Sequence, residues 1–361
     1  MPGCRRRPLS QAPRRSALLA RAAGLVLGVA ADRVVRDPQR HHPVAWFGTA
    51  ADRLEKAMWR DDPARGMWFA AACLLPLAAA GIGAERATDR VPVAKCLATA
   101  VTTWAALGAS SLAREGRTMA RHLDAAADRQ EGDHLAGEGL AAARAQLPNL
   151  CGRDAAALDA PELARATVES MAENTSDAAV ATVFWGCVAG LPGILVHRGA
   201  NTLDAMVGHH NARFERFGGF AARLDDVLDW VPARLTGVLL CAASPAVGGS
   251  PARAWRVMMR DHASHPSPNG GWCESAMAGA LGVRLGGTNV YYGNRVEQRG
   301  LLGDGPRPDA DGVRAAARLV GLVTAAGAGI ATLALVAAGG TVGRTHGTGA
   351  RGGLMGREDL G

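Results

Sequence analysis

A run of five polar residues, Glu173-Asn-Thr-Ser-Asp177, carries the clearest potential for chemistry. On a helix, Glu173 and Asp177 are four residues apart, so both carboxylates face one way and Asn174 lies beside them. Like charges at this spacing repel, and a cation between them relieves the repulsion. Mg²⁺ is usually held by one or two carboxylates together with substrate phosphates. The alternative is a helix end in which one of the last three residues caps the following apolar helix.

A second polar cluster begins an otherwise apolar stretch at Asn201-Thr-Leu-Asp204. Asn201 and Asp204 are three residues apart, which places both on one face of a helix, and Thr202 lies next to them. The cluster therefore predicts a polar stripe on a buried helix. The alternative is an ordinary helix in which Asn201 or Thr202 is the N-cap.

The third cluster is acidic and runs from Arg223 through Asp225 and Asp226 to Asp229. Asp225 and Asp229 repeat the four-residue spacing, and Asp226 lies alongside them. A solvated helix face is the simpler interpretation of this cluster, because charge runs of this kind usually face water.

A loop rich in Gly and Pro follows, from Ser264 to Glu274 and again from Leu285 to Gly293. Gly and Pro fix the backbone in turns that most residues cannot adopt. Such a loop suits a site where a ligand meets backbone N–H groups. The alternative is a connector that only needs turns. The residues that could contact a ligand here are Ser267, Asn269, Gly270 and Gly271.

The composition indicates close-packed helices at a membrane. Of 361 residues, 48% are hydrophobic but only 4% are aromatic, so Ala and Gly carry much of the apolar content. The net charge of +7 comes almost entirely from arginine and fits an anionic membrane surface or a phosphate-bearing substrate. Nucleic acid is disfavoured, because the arginines are scattered along the chain. The seven Cys lack the spacing of a disulfide framework.

Five apolar stretches are candidates for crossing a bilayer, which takes about 20 residues. They predict an all-α fold: a polytopic membrane helical bundle with polar helical blocks between apolar segments. We interpret residues 1–16 as a disordered basic tail, 17–340 as a single membrane-embedded domain and 341–361 as a Gly-rich disordered tail. Residues 17–31 are either a retained first helix, which we favour, or part of a cleaved signal peptide. The five stretches are 66–83, 91–109, 178–196, 231–247 and 319–340.

The polar blocks constrain the topology of the bundle. If every stretch crossed the membrane, block 198–230 would face the opposite side from blocks 110–177 and 248–318. All three blocks carry arginine, which favours the cytoplasmic side for each of them. We therefore expect 178–196, which contains Leu-Pro-Gly, and 231–247 to be re-entrant or buried.

The polar motifs together resemble the CobD/CbiB family of cobalamin biosynthesis. The matching motifs occur in the family's order from about residue 24 to residue 320, so the resemblance covers most of the chain. The chain departs from many relatives at Ala205, where Ser is common, and at His209, where an aromatic residue is common. The matching segments are Asp37-Pro38, His42-Pro-Val44, Glu173-Asn-Thr-Ser-Asp177, Asn201-Thr-Leu-Asp-Ala-Met-Val-Gly208, Arg223-Leu-Asp-Asp226, Trp230-Val-Pro-Ala-Arg234, Ser267-Pro-Asn-Gly-Gly-Trp272, Leu285-Gly-Gly287 and Tyr292-Gly293.

The resemblance implies a multi-pass cell-membrane enzyme whose site faces the cytoplasm. Members of the family are adenosylcobinamide-phosphate synthases: with ATP and Mg²⁺ they join a carboxylate of adenosylcobyric acid to aminopropanol or its O-phosphate through an amide bond. The partners implied are the corrinoid, the amine and the lipid bilayer. The sequence has no G-x-x-x-x-G-K-[ST] motif, so ATP would be bound by something other than a P-loop.

The chemistry implied by the family assigns roles to residues of the polar clusters. Glu173, Asp177 and Asp204 are the candidate catalytic residues, and with Asp225 they are the candidate metal ligands. The candidate substrate-binding residues are Asn174, Asn201, Thr202, Arg223, Ser267, Asn269, Gly270 and Gly271. Two other functions remain open: a polytopic transporter, in which polar stripes line a substrate path, and a Mg²⁺-dependent membrane transferase, for which the Asp spacing is irregular.

Overall fold

A computed structural model describes residues 11–35, 42–127, 134–209, 211–291 and 295–344. The described residues form thirteen α-helices and one β-hairpin. The helices are α1 (Gln11–Val34), α2 (Pro43–Met58), α3 (Pro63–Thr88), α4 (Pro92–Ala106), α5 (Ala109–Ala127), α6 (His134–Gln146), α7 (Ala160–Thr175), α8 (Ala181–Val207), α9 (Gly219–Leu228), α10 (Trp230–Ala243), α11 (Pro251–Asp261), α12 (Gly270–Leu281) and α13 (Ala310–Arg344); the strands are β1 (Leu285–Tyr291) and β2 (Arg295–Leu302).

The predicted fold class is confirmed, since five helical segments are long and apolar enough to cross a membrane. These segments are Pro63–Thr88, Pro92–Ala127, Ala160–Val207, Trp230–Val247 and Ala310–Gly340. Both predicted tails fall largely outside the described residues. Where they are described they are helical, because α1 begins at Gln11 and α13 continues to Arg344.

The Gly- and Pro-rich pattern predicts a loop over 285–293, but the structure forms a strand over most of it, Leu285–Tyr291. β1 pairs antiparallel with β2, with Val290 opposite Val296 and Asn289 opposite Glu297. β-Branched residues favour such a half-buried ladder. The two Gly at the start of β1 hid this preference, because glycine is usually depleted in strands.

The chain reverses direction inside α8, at Gly190. Gly190 has φ 67° and ψ −146°, a backbone conformation that is essentially restricted to glycine. A β-carbon at Gly193 would lie 2.5 Å from the carbonyl oxygen of Trp185. Residues eight apart in a straight helix are separated by about 12 Å, so α8 must fold back on itself. It is therefore a hairpin of two limbs, as expected for a re-entrant 178–196 segment.

Charged side chains hold the tip of this hairpin. Glu85, near the end of α3, accepts a hydrogen bond from the backbone N–H of Leu191 at 3.0 Å. Arg21 of α1 donates to the same carboxylate, and Lys95 of α4 lies 2.7 Å from it. The tip therefore lies where α3 ends and α4 begins.

Both ends of the α8 hairpin consequently lie at the opposite end of the bundle from Gly190. At the start of the first limb, Ala178 accepts a hydrogen bond from the backbone N–H of Gly108, just beyond α4, at 3.0 Å. Beyond the second limb, Phe217 packs so closely on Gly66, near the start of α3, that a β-carbon there would lie 1.7 Å from its carbonyl oxygen. Block 198–230 thus lies at the same end as the end of α7, as predicted.

Two apolar clusters surround the hairpin. The larger one packs α1, α5, α7, the first limb of α8, and α10 to α13 around residues such as Leu25, Met171 and Val183. The smaller one packs α2, α3 and α9 on the second limb, with the rings of Phe69 and Phe217 centred 5.2 Å apart. The hairpin is therefore covered by protein on both limbs, as irregular backbone at membrane depth requires.

Replacing Gly190 should destabilise the hairpin. In Gly190→Ala the new β-carbon would lie 2.7 Å from both Arg21 and Glu85 side chains, in a backbone conformation that costs about 1–3 kcal/mol for a non-glycine residue. We expect a lower thermal unfolding temperature for the purified protein in detergent. Gly329→Ala in α13 is the matched control, because open space surrounds Gly329. Equal unfolding temperatures for the two variants would contradict the strained turn.

Candidate metal and substrate site

Five carboxylates converge at the open end of the α8 hairpin. Asp177 lies within electrostatic range of Glu173, Asp204, Asp225 and Asp229. Asp177 lies in a π-helical turn, Ser176–Val180, that joins α7 to α8. Single π-turns of this kind occur frequently at functional sites. The fold thus brings the three polar clusters of the sequence into one place.

Asp225, Asp229 and His197 form a compact group within this site. Each offers a ligand atom within 4.8 Å of the others, and all three are buried. His197 Nε2 lies 2.8 Å from Asp229 Oδ1, and Asn201 is hydrogen-bonded to Asp225. The interpretation of the third cluster as a solvated face is therefore wrong. It failed because Asp225 and Asp229 point inward, whereas Arg223 and Val227 are the exposed residues of this stretch.

The electrostatics of this group favour a bound cation. Burial raises the pKa of Asp225 well above its usual range, and the neighbouring charges of Asp229 and Asp204 raise it further, against the hydrogen bond from Asn201. Asp225 Oδ1, Asp229 Oδ2 and His197 Nδ1 are buried with no hydrogen-bond partner among the described residues. Buried polar atoms normally have partners. A divalent cation would provide such a partner for the Asp225 and Asp229 oxygens, so this set of ligand atoms fits Mg²⁺.

A second group adjoins the first and consists of Glu173, His265 and Glu274, whose ligand atoms also lie within 4.8 Å of one another. His265 Nε2 lies 3.3 Å from Glu274 Oε1 and 2.9 Å from Arg299 Nη1. Burial lowers the pKa of His265, but the hydrogen bond and charge of Glu274 and the charge of Glu173 outweigh it, so this pKa is raised. Glu173 links the two groups, because it also faces Asp177.

The glycine-rich loop forms a wall of the site and begins α12. Ser267 Oγ accepts hydrogen bonds from the backbone N–H groups of Asn269 at 3.2 Å and Gly270 at 3.1 Å, so it caps the helix. A β-carbon on Gly270 would lie 2.8 Å from Glu173 Oε1, and one on Gly271 would lie 2.0 Å from the carbonyl oxygen of His262. Glycine at both positions allows α12 to approach the carboxylates.

Asn269 ties this wall to the third polar cluster. Its Nδ2 donates to the carbonyl oxygen of Asp226 at 2.8 Å, and its Oδ1 accepts from Arg234 at 3.0 Å. The Arg234 guanidinium lies over the rings of Trp230 and Trp272, 4.1 Å and 5.0 Å from their centroids. These contacts hold the positively charged Arg234 side chain at the edge of the site.

The other predicted substrate-binding residues occupy different positions. Asn174 donates to the carbonyl oxygen of Ser170, and Thr202 donates to that of Arg198, one turn back along their helices. Arg223 is exposed, on the face of α9 that points away from Asp225. The roles of these three residues in substrate binding remain predictions. Arg223 in particular points away from the carboxylates.

Sequence reasoning missed several residues of the site. His197 lies four residues before Asn201 on one helix, so helical spacing could have identified it. Asp229 and Glu274 were noted in the sequence but given no role. His265 lies in the Gly- and Pro-rich loop, where nothing in the local sequence marks it as a site residue. Arg299 had no local signal, because only the pairing of β2 with β1 carries it to His265.

Glu169, one turn before Glu173, has a structural role instead. Its buried carboxylate accepts hydrogen bonds from Arg153, from Arg165 at 3.1 Å and from the backbone N–H of Gly286 at 2.7 Å. Arg165 in turn donates to Asn289 Oδ1 at 2.8 Å. This network attaches the β-hairpin to α7, in contrast to the carboxylates of the site, which face one another.

The fold and site define a multi-pass helical membrane protein with a buried carboxylate and histidine centre. The family model described as CobD/Cbib protein matches residues 25–320. The chain therefore belongs to the CobD/CbiB family, which acts in cobalamin biosynthesis. Every carboxylate and histidine of the two groups lies within the matched residues.

Similar proteins carry the name cobalamin biosynthesis protein CobD. The protein of Mycobacterium tuberculosis (strain CDC 1551 / Oshkosh) is 44% identical over 314 residues, covering 87% of this chain and 95% of the relative. That of Rhodobacter capsulatus is 41% identical over 280 residues, covering 74% and 81%. That of Geobacter metallireducens is 39% identical over 304 residues, covering 82% and 92%. No solved structure matches the chain.

Glu169→Gln should destabilise the protein strongly, because it leaves two buried arginines without their shared carboxylate. Breaking a buried ion pair costs about 3–5 kcal/mol. We expect a clear drop in the thermal unfolding temperature in detergent. Glu138→Gln is the matched control, since Glu138 is exposed on α6. A Glu169→Gln variant as stable as the control would show that the network does not hold the hairpin.

Proposed function

We propose that the chain is an ATP-dependent amide ligase of cobalamin biosynthesis, which joins adenosylcobyric acid to aminopropanol or its O-phosphate. Membership of the CobD/CbiB family supports the pathway. The observation that carries the ligase assignment is the convergence of Glu173, Asp177, Asp204, Asp225 and Asp229 with two histidines in one buried site. Such a site suits a reaction that combines a metal, a phosphoryl group and an amine.

In this proposal Asp177, Asp225 and Asp229 hold Mg²⁺, with Asp204 next to them. When bound, Mg²⁺ would neutralise the charge of the ATP phosphates during activation of the corrinoid carboxylate. Without a cation, this concentration of buried negative charge would repel phosphate. The metal ligands therefore also determine whether an anionic substrate can enter.

Glu173 is placed to handle the amine. Aminopropanol is an ammonium ion at neutral pH, and its nitrogen must lose a proton before it can attack a carbonyl carbon. Glu173 can bind the ammonium group, and His265, paired with Glu274, can accept its proton. Arg299 lies beside these side chains, and its positive charge partly offsets the negative charge of Glu173 and Glu274.

The wall formed by the glycine-rich loop adds positive charge to the site. Arg234, which lies over the rings of Trp230 and Trp272, donates to Asn269, the residue immediately before α12. Helix N-termini and arginines favour carboxylate and phosphate groups. We assign this wall to the corrinoid carboxylate or to the phosphate of the amine substrate. The arginine in the polar blocks favours a cytoplasmic site.

The test is incubation of the purified protein with adenosylcobyric acid, ATP, Mg²⁺ and each form of aminopropanol, with the amide detected by mass spectrometry. Amide formation with either amine supports the proposal. ATP consumption without amide, or transport of a corrinoid across vesicles without ATP consumption, would favour the other functions that the sequence leaves open.

Asp204→Ala should reduce amide formation by at least about 100-fold, because it removes a carboxylate beside the proposed metal. The variant should unfold at a temperature near that of the wild type, since relief of repulsion offsets the lost contacts. Asp52→Ala is the control, because Asp52 is half-exposed and pairs with Lys56 of the same helix, α2. Unchanged amide formation in Asp204→Ala would remove this residue from the site.

A further inference from the structure

Six arginines that are scattered along the sequence come together on one face of the bundle, around two cavities that none of the five site carboxylates lines. They lie where the end of α1, the body of α5 and the start of α13 meet. Arg33, Arg117 and Arg318 line a cavity of about 350 Å³, and a neighbouring cavity of about 380 Å³ is lined by arginines alone, among them Arg117. The six are Arg33, Arg114, Arg117, Arg121, Arg314 and Arg318.

This arginine face carries a large excess of positive charge. Asp124 and Asp311 both pair with Arg314, at 2.6 Å each, so they compensate only that residue. Asp32 is buried and accepts a hydrogen bond from the backbone N–H of Ser110 at 2.9 Å. Among the described residues, no carboxylate pairs with Arg117 or Arg318, and both are exposed. Fixed guanidinium groups in this number attract a multivalent anion.

The cavity has an apolar floor and lies at the end of the apolar helices. Val29 and Ala113 line it, and so does Leu322, whose side chain is 38% exposed. The long uncharged stretch of α13 begins at Leu319, immediately after Arg318. Arg33 likewise follows the apolar part of α1 and donates to the carbonyl oxygen of Gly321 at 2.9 Å. The arginines therefore mark the boundary between the hydrocarbon core and water.

The geometry points to a binding site for the phosphate headgroup of an anionic phospholipid. Arginine pairs with phosphate through two parallel hydrogen bonds, and three guanidinium groups line this one cavity. The apolar floor and the exposed Leu322 suit the first part of an acyl chain, which a free phosphate lacks. Basic pockets between transmembrane helices are known to bind lipid headgroups in this manner. None of the residues that line this cavity belongs to the proposed ligase centre, and the lipid proposal does not depend on the ligase chemistry.

The test uses the full chain in detergent, with phosphatidylglycerol and phosphatidylcholine supplied in turn and bound lipid counted by native mass spectrometry. We expect phosphatidylglycerol to bind in preference to phosphatidylcholine. Arg117→Gln/Arg318→Gln should weaken retention of phosphatidylglycerol at least about tenfold, as expected for two charges lost at a membrane surface. Both side chains are exposed, so folding should be unaffected.

Arg86→Gln/Arg90→Gln is the matched control, since both arginines are exposed near the C-terminal end of α3 and the charge change is the same. Equal loss of lipid in the two double variants would overturn the site. Complete displacement of phosphatidylglycerol by glycerol 3-phosphate would show that the cavity binds a soluble phosphate, which would contradict the lipid proposal. A dimer that only Arg117→Gln/Arg318→Gln dissociates would assign the surface to a second copy of the chain.

Discussion

The mutual repulsion of buried carboxylates is the constraint on which the rest of the structure depends. Four aspartates and Glu173 lie within electrostatic range of one another, with two histidines and Arg299 beside them. Like charges in a medium of low dielectric repel strongly. A fold that collects them must therefore stabilise the arrangement elsewhere or supply a cation. In the Glu169 network, by contrast, arginines pair with the buried carboxylate, as expected for a carboxylate with a purely structural role.

The α8 hairpin makes the convergence possible. Without the reversal at Gly190, the second limb would carry Asn201 and Asp204 to the far side of the membrane from Asp177. The reversal needs a glycine backbone at Gly190 and an anchor at Glu85, which caps the N–H of Leu191. The strained turn at one end of the hairpin thus brings Asp204, on the second limb, next to Asp177 at the other end.

Much of this arrangement could be predicted from local sequence. Helical spacing identified the paired carboxylates, and the arginine in block 198–230 together with Leu-Pro-Gly at 191–193 predicted a re-entrant segment. Burial could not be predicted for Asp225 and Asp229, because an acidic helix face looks the same whether it meets water or a metal. The β-hairpin, Arg299 and the arginine face depend on contacts between distant segments, for which a single sequence carries no periodic signal.

The central claim is that the carboxylates converge to hold a divalent cation. The most direct test is an experimental structure of the protein with Mn²⁺ in place of Mg²⁺, with the metal located by its anomalous scattering. The account predicts a metal peak bounded by Asp177, Asp225 and Asp229, which disappears in Asp225→Asn. A structure with all five carboxylates as described and no metal among them at saturating Mn²⁺ would contradict it.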